Sequence, residues 1–197
     1  MQGDPDLEYR PGPNSGPLEG YTPLALAVER GYTPIVRMLL EKGANINHRI
    51  LDDRPFLHGA TTDETLAVLL EYNVDKEATD LGPQSTMLSR LVADSDTYTG
   101  YLPLITRLIN AGADLDPTDI MGDTPLAIAS LDGNMELVQL LIARGADVNG
   151  NSGQYGRPVY RTILRNNLDP LKALVEKGAD FASCHSILGT PLQVACG

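Results

Sequence analysis

Histidine and cysteine are the first residues of this chain to consider for chemistry. A structural zinc site requires four ligands at recognisable spacings. Cys184 and His185 are adjacent, but only Cys196 lies close to them in the sequence, so the spacing predicts no metal site. Two cysteines near one end of the chain are too few for a fold that disulfides stabilise. We therefore expect the protein to lie in a reducing compartment, cytoplasmic or nuclear.

Aspartates and glycines form two further patterns that could indicate catalysis. Gly-Ala-Asp triplets end at Asp114, Asp147 and Asp180, a row that could serve acid–base chemistry. An aspartate or asparagine returns there in every copy of a longer repeating string, however, which favours a structural turn. Residues 150–156 are glycine-rich like a phosphate-binding loop but lack the lysine and serine or threonine that must follow. We therefore predict no catalytic residue and no cofactor.

Charge and composition exclude several classes of protein. The chain has 197 residues, with 15 basic and 26 acidic side chains and a formal net charge of −11. A chain with this net negative charge does not attract phosphate backbones or anionic lipids, so we expect neither nucleic-acid nor membrane binding. No apolar run approaches the roughly 18 residues of a membrane span. The 42% of hydrophobic residues indicates a globular chain, and 19 glycines and 14 prolines predict frequent turns.

A period near 33 residues organises the chain from residue 20 onward. A string ending in Gly-Ala-Asn or Gly-Ala-Asp closes four copies, with its glycine at Gly43, Gly112, Gly145 and Gly178. The second copy has Asn73 instead, and asparagine is the residue next best suited to the left-handed conformation at a helix end. A Thr-Pro-Leu string opens three copies, at Thr22, Thr124 and Thr190.

Each copy has the pattern of two short antiparallel helices. A threonine caps a helix through its hydroxyl, and proline is tolerated at the first helical position, so Thr22-Pro23 and Thr124-Pro125 predict helix starts. Apolar residues then recur at helical spacing in two series that a turn separates. No copy could bury its apolar residues alone, so the copies must stack.

On these motifs the chain resembles the ankyrin-repeat family, whose unit of about 33 residues is a β-turn followed by two helices. The resemblance implies an all-α repeat solenoid of stacked helix–turn–helix units joined by β-hairpin-like turns. It also implies that His48 and His185 lie on hairpin tips and His58 in a first helix, with structural or solvated roles.

The resemblance divides the chain into a leader and a repeat domain. We expect an extended Pro/Gly-rich leader over residues 1–19 and the repeats over residues 20–197. The expected limits are 20–52, 53–81, 82–121, 122–154 and 155–187, with a partial sixth repeat at 188–197. Because neither end shows a convincing polar outer face, we expect this chain to be part of a longer polypeptide.

Three copies depart from the repeat pattern. The second opens with Arg54-Pro55-Phe56 and is about two residues short between its helices. The third lacks Thr-Pro and carries an insertion at residues 94–100, and the fifth has Arg157 at the capping position and turns at Asn166-Asn167. Insertions in repeat stacks lie in loops on one face, often the binding face.

The resemblance implies a non-catalytic protein-interaction module, because family members bind proteins on a concave groove lined by first helices and hairpin tips. The side chains expected to be exposed there are Ala25, Glu29, Arg30, Tyr32, Ala127, Leu131, Asp132, Asn134, Tyr160, Leu164, Arg165 and Asn167. The residues predicted to bind a protein partner are Tyr155, Arg157, Tyr160, Arg161, Arg165, Arg30, Tyr32, Leu131, Asp132, Tyr98 and Tyr101.

One cluster differs from the acidic remainder of the chain. Residues 155–165 contain three arginines and two tyrosines without an acid, and these residue types are enriched in binding hot spots. The arginines could meet an acidic or phosphorylated spot on the partner. Alternatively, they pair with Asp132, Asp147 or Glu136 of the preceding repeat, and Arg157 only fills the capping position.

A second hypothesis places a small-molecule-binding or enzymatic site at the irregular second and third repeats. It would use His58, Asp63, Glu64, Asp94, Asp96, Tyr98 and Tyr101. A deep enclosed pocket with a strongly shifted carboxylate or histidine pKa would favour this hypothesis, and an open groove would favour the interaction module. A spacer without a partner of its own is the third possibility.

Overall fold

The computed structural model describes residues 21–50, 54–80, 85–94, 100–150, 153, 156–180, 182, 189, 190 and 193. Several predictions fall outside the described residues: those on the leader and on Asp96, Tyr98, Tyr155, Cys184, His185 and Cys196. The chain divides into two compact units, residues 1–87 and residues 88–197. Within the described ranges, no helix is both long and apolar enough to cross a membrane.

The first unit contains two stacked helix pairs joined by a short β ladder. Helices α1 (Pro23–Glu29) and α2 (Thr33–Glu41) precede strands β1 (Arg49–Ile50) and β2 (Arg54–Pro55), which pair antiparallel. The second pair is a 3-10 helix, Phe56–Gly59, followed by α3 (Asp63–Glu71). The expected shortness of the second copy thus falls on its first helix, which is a single 3-10 turn.

The second unit continues the alternation of first and second helices. Its helices are α4 (Met87–Ala93, which begins at the unit boundary), α5 (Tyr101–Asn110), α6 (Pro125–Asp132), α7 (Met135–Arg144), α8 (Pro158–Leu164) and α9 (Leu168–Glu176). Helix α6 packs against α7 and α8, while α9 packs against α7 and α8. Stacked helix pairs in each unit confirm the predicted all-α repeat fold class.

Short-range motifs form as the sequence predicts. The Thr22 hydroxyl oxygen accepts a hydrogen bond from the Ala25 N–H at 3.2 Å, and that of Thr124 accepts from the Ala127 N–H at 3.3 Å. Asn73 and Asn166 take the left-handed conformation, with φ of 56° and 58°. Threonine hydroxyls therefore cap the first turns of α1 and α6. Left-handed asparagines follow the ends of α3 and α8.

A hydrogen-bond ladder joins the turns that follow the second helices. Within a turn, Asp114 Oδ1 accepts from the Asp116 N–H at 3.0 Å. Between turns, Asp116 Oδ1 then accepts from the Asp147 N–H at 3.0 Å, and Asn149 Oδ1 accepts from the Asp180 N–H at 2.8 Å. The repeated aspartates therefore bind backbone N–H groups of the turns, which confirms their interpretation as turn residues.

At the ladder position where two other repeats have the amides Asn47 and Asn149, this repeat has the acid Asp116. We therefore predict that the stability of the chain depends on pH through Asp116. Burial and, less strongly, the charges of Asp147 and Asp114 raise the pKa of Asp116 against the lowering effect of the Asp147 N–H. A carboxyl group with a raised folded-state pKa adds stability below its ordinary pKa, and this stability is lost as the pH rises through the folded-state value. We therefore expect Asp116→Asn to gain stability over the parent as the pH rises from about 4 to 7. Urea unfolding at several pH values measures this gain.

Asn149→Asp is the converse control for this pH effect. It places an acid at the equivalent position of the next turn, so its free energy of unfolding should fall below that of the parent as the pH rises. A stability difference between Asp116→Asn and the parent that does not change with pH would contradict the prediction.

Candidate functional site

The C-terminal ends of α6 and α8 form a common surface in the second unit. Helix α6 ends at Leu131 and Asp132, and α8 ends at Leu164 with Arg165 as its C-cap. Asp132 and Arg165 are exposed, Leu164 is 44% exposed and Leu131 is half-buried. These four residues were predicted to be exposed on the groove, and we call them the helix-end surface.

Asn167 holds the two helix ends together. Its side-chain N–H groups donate to the Ser130 carbonyl oxygen at 3.0 Å and to the Leu131 carbonyl oxygen at 2.8 Å. Asn134, in the turn after α6, caps α7 by accepting from the Leu137 N–H at 3.2 Å. Both asparagines were expected to line the groove, but their amides bind the backbone and fix the surface in place.

Three other expected groove residues are buried, so the prediction of their exposure is wrong. Ala25 and Ala127 are 1% and 0% exposed, because small first-helix side chains pack against neighbouring elements. Tyr160 is 1% exposed, and its hydroxyl donates to the Gly189 carbonyl oxygen at 2.7 Å. Tyr160 therefore contributes to the core of the second unit and does not offer a contact surface to a partner.

The arginine cluster is mostly engaged within the chain. Arg161 is 4% exposed, and its Nη2 donates to Asp123 Oδ1. Arg157, at the capping position, donates through Nη1 to Asp180 Oδ2 at 2.5 Å. Pairing within the chain was one of our two hypotheses and is confirmed for these two arginines, but the expected partners Asp132, Asp147 and Glu136 are wrong. The hypothesis of an open arginine patch is therefore wrong, and Arg165 is its exposed member.

Asp123 is an unusual carboxylate because it lies largely inside the unit. Burial raises the pKa of Asp123, while the Arg161 guanidinium opposes that rise. The two side chains are 13% and 5% exposed, so the ion pair is screened little by solvent. Its position inside the packed repeats indicates a structural role.

The corresponding turn of the first unit lies between α1 and α2. Arg30 and Tyr32 are exposed there, as predicted. Glu29 is half-buried, because it accepts hydrogen bonds from the Tyr21 hydroxyl at 3.1 Å and from Arg54 Nη2. Arg30 and Tyr32 thus stay available in the first unit, while Glu29 is fixed.

The residues of the alternative ligand or enzymatic site occupy separate structural positions. The His58 side chain is buried, with Nδ1 at 3.9 Å from Asp80 Oδ2. Asp63 and Glu64 lie in the first turn of α3, where acids stabilise a helix. In the second unit, Asp94 follows α4, and the half-buried Tyr101 begins α5. No group of three or more histidine, cysteine or acidic side chains among the described residues could hold a metal ion.

Among the clefts that the described residues form are two that the sequence did not indicate. One, of about 350 Å³, lies in the first unit and is lined by Ile46, Asn47, His48, Pro55, Phe56, Val74, Asp75, Glu77, Ala78 and Thr79. The other, of about 490 Å³, lies between α7 and α9 and is lined by Met135, Gln139, Ile142, Ala143, Asp169, Lys172, Ala173, Glu176 and Lys177. Those of the proposed ligand-site residues that the structure describes line neither of these two clefts.

Comparison with known families and proteins gives a consistent result. A family model described as ankyrin repeats (three copies) matches residues 93–185, and a single ankyrin-repeat model matches residues 19–50. The human BCL-6 corepressor-like protein 1 is 37% identical over 86 residues, which are 42% of this chain and 5% of that protein. The chain spans between 5% and 56% of the length of the first three curated relatives it matches.

Two solved structures resemble the chain over most of its length. An ankyrin repeat domain from Acinetobacter baumannii has a TM-score of 0.78 and 25% identity, covering 88% of this chain and 90% of that one. The ankyrin repeat domain of Bcl-3, a member of the IkappaB protein family, has a TM-score of 0.81 and 29% identity, covering 89% of this chain and 78% of that one.

Proposed function

The chain belongs to the ankyrin-repeat family, generally a non-catalytic protein-interaction fold, and from that premise we propose that its helix-end surface binds a protein partner. The observation that carries this proposal is the exposure of Leu164 and Arg165 beside Asp132, at helix ends that Asn167 joins. A surface whose backbone is already fixed loses little conformational entropy on binding, which favours affinity.

The chemistry of the helix-end surface suggests the character of the partner. Leu131 and Leu164 supply apolar contact area, while Asp132 and Arg165 supply one charge of each sign. Charges of both signs favour a partner segment that also carries both, because complementary pairs fix its register. We therefore propose a mixed-charge segment with an apolar anchor as the binding element of the partner.

The state of the titratable groups supports binding without catalysis. Asp116 and Asp123 are carboxyl groups with a raised pKa. Asp116 is bonded to the backbone of the next turn, and Asp123 to Arg161. Both shifts therefore arise in structural contacts, and neither Asp116 nor Asp123 lines either of the two clefts.

The test is capture of partners by the full chain and by a double variant, Leu164→Glu with Arg165→Glu. This variant places two acids on the helix-end surface and leaves the ion pairs of Arg157 and Arg161 intact. Proteins retained from a native lysate are identified by mass spectrometry, and the affinity for each purified partner is then measured. We expect the double variant to weaken that affinity at least about tenfold, as for a hot-spot residue.

Val175→Glu with Lys177→Glu is the matched control. Val175 is 44% exposed, as Leu164 is, and Lys177 is the C-cap of α9, as Arg165 is of α8. The two double variants change the net charge by the same amount. If both variants bind a partner equally, or both lose it equally, the helix-end surface is not its binding site.

A further inference from the structure

The 350 Å³ cleft of the first unit results from the irregular second repeat. It lies between the turn after α2, which supplies residues 46–48, and the turn after α3, which supplies residues 74, 75 and 77–79. The β1–β2 ladder and the 3-10 helix that replace a regular first helix bring Pro55 and Phe56 to the same place. We call this feature the turn cleft.

Part of the lining of the turn cleft is apolar. Phe56 and Val74 are 2% and 5% exposed, so they form a fixed apolar part of its lining. The His48 ring lies 6.0 Å from the Phe56 ring, centroid to centroid, at an interplanar angle of 51°. A volume of about 350 Å³ is at the small end of ligand sites, so the cleft suits a side chain more than a large cofactor.

Two carboxylates belong to the lining of the turn cleft. Asp75 and Glu77 are exposed and belong to its lining, and no lysine or arginine is among the described residues that line it. The Asn47 side chain accepts from the Asp75 N–H at 3.1 Å, and Asp75 Oδ1 accepts from the Glu77 N–H at 3.0 Å. These bonds hold the Asp75 carboxylate and the backbone of residues 75 and 77 within the lining of the cleft.

We propose that the turn cleft binds an arginine side chain presented by an extended segment of a protein partner. The aliphatic part of arginine would pack on the apolar part of the lining, while the guanidinium would meet Asp75 and Glu77. Arginine fits better than lysine, because its planar guanidinium both stacks on aromatic rings and binds carboxylates through two parallel hydrogen bonds. The inference rests on the proposed function only in taking the ligand to be part of a protein.

The probe for this proposal is the peptide acetyl-Gly-Arg-Gly-amide, titrated into the full chain. Amide chemical shifts in ¹H–¹⁵N spectra report where it binds. A single side chain is expected to bind with a dissociation constant on the order of 1 mM. We expect saturable shifts confined to residues 46–48, 55–56 and 74–79, and weaker binding at higher ionic strength.

Two comparison peptides test the recognition of charge and shape. Replacing arginine with citrulline keeps the shape and removes the charge, so roughly fivefold weaker binding is expected, the upper range for an exposed ion pair. The lysine peptide should bind more weakly than the arginine peptide. Equal affinity for citrulline would overturn the role of charge, and equal affinity for lysine would overturn the assignment to arginine.

The variant Asp75→Asn with Glu77→Gln tests the site itself. It keeps an amide oxygen to accept from the residue 77 N–H, so the turn should fold as before. Asp114→Asn with Asp116→Asn is the matched control, since these acids occupy the equivalent turn positions in the second unit. We expect roughly fivefold weaker binding for the first variant and unchanged binding for the second.

Three further outcomes would overturn the proposal: no saturable shift, shifts spread over acidic residues of both units, or equal binding by both double variants. None of them depends on the helix-end surface, whose test is the loss of partner by Leu164→Glu with Arg165→Glu. The two proposals can therefore fail separately.

Discussion

Replacing Arg161 with alanine is expected to lower the free energy of unfolding by about 3 kcal/mol. The Arg161 side chain is buried, and its guanidinium binds Asp123, a carboxylate whose pKa burial already raises. Removing the cation leaves a buried negative charge without its counter-charge and opens space in the packed second unit. Urea unfolding of the full chain, followed by far-ultraviolet circular dichroism, measures the loss.

Arg165→Ala is the control for this loss. Arg165 lies four residues further along and is exposed, so its removal should change the stability by less than about 0.5 kcal/mol. A second signature is the pH dependence. Without Arg161 the pKa of Asp123 rises further, so the gap between parent and Arg161→Ala should widen as the pH rises above about 4. Equal losses for the two arginines would contradict the prediction.

Replacing Leu137 with alanine is expected to cost about 3 kcal/mol, whereas Ile35→Ala should cost less than about 1 kcal/mol. The two residues occupy the same repeat position, eight residues before Gly145 and Gly43 respectively. Leu137 is 2% exposed because α5 packs against α7, while Ile35 is 43% exposed. Thr65, Leu104 and Pro170, at the same position of the other repeats, are also buried.

The measurement for this pair is urea unfolding of both variants beside the parent, with amide hydrogen exchange to locate the affected helices. Leu137→Ala should speed exchange in α7 and in the helices packed on it, because the cavity removes contacts between repeats. Comparable losses of stability for Leu137→Ala and Ile35→Ala would mean that Ile35 is covered in solution.

The sequence predicted the features that depend on neighbours within a few residues. Threonine caps, prolines at the first helical position and the left-handed Asn73 and Asn166 each require only a local backbone conformation. The class of fold followed because these local signals recur at a constant period. Repetition turns a weak local prediction into a strong one, since each copy is an independent observation of the same pattern.

The details of the site depend on contacts between repeats, which no local pattern contains. Arg161 and Asp123 are 38 residues apart, and Asn167 reaches backbone oxygens 36 and 37 residues before it. A helical period indicates which residues share a face, but it does not indicate which face a neighbouring helix covers. For this reason Tyr160 was assigned to the groove although the structure buries it.

The turn cleft was missed for a different reason. The string Arg54-Pro55-Phe56 marks the second copy as irregular, but the sequence alone singles out His58, Asp63 and Glu64 there, because they are titratable. A single 3-10 turn replaced the expected helix, and that change moved the opening to the adjoining turns. Irregular geometry was visible in the sequence, and its consequence for the neighbouring loops was not.

The hydrogen-bond ladder between turns bears on how such a chain could lengthen during evolution. In the three rungs that the structure describes, an asparagine or aspartate side chain accepts from a backbone N–H of the following repeat, and a non-proline residue supplies that N–H whatever its side chain. A duplicated repeat therefore arrives with its own acceptor and meets a ready donor on its neighbour. Gene duplication can therefore insert or remove whole repeats at these turns, because a new rung does not require a complementary pair of side chains to evolve first.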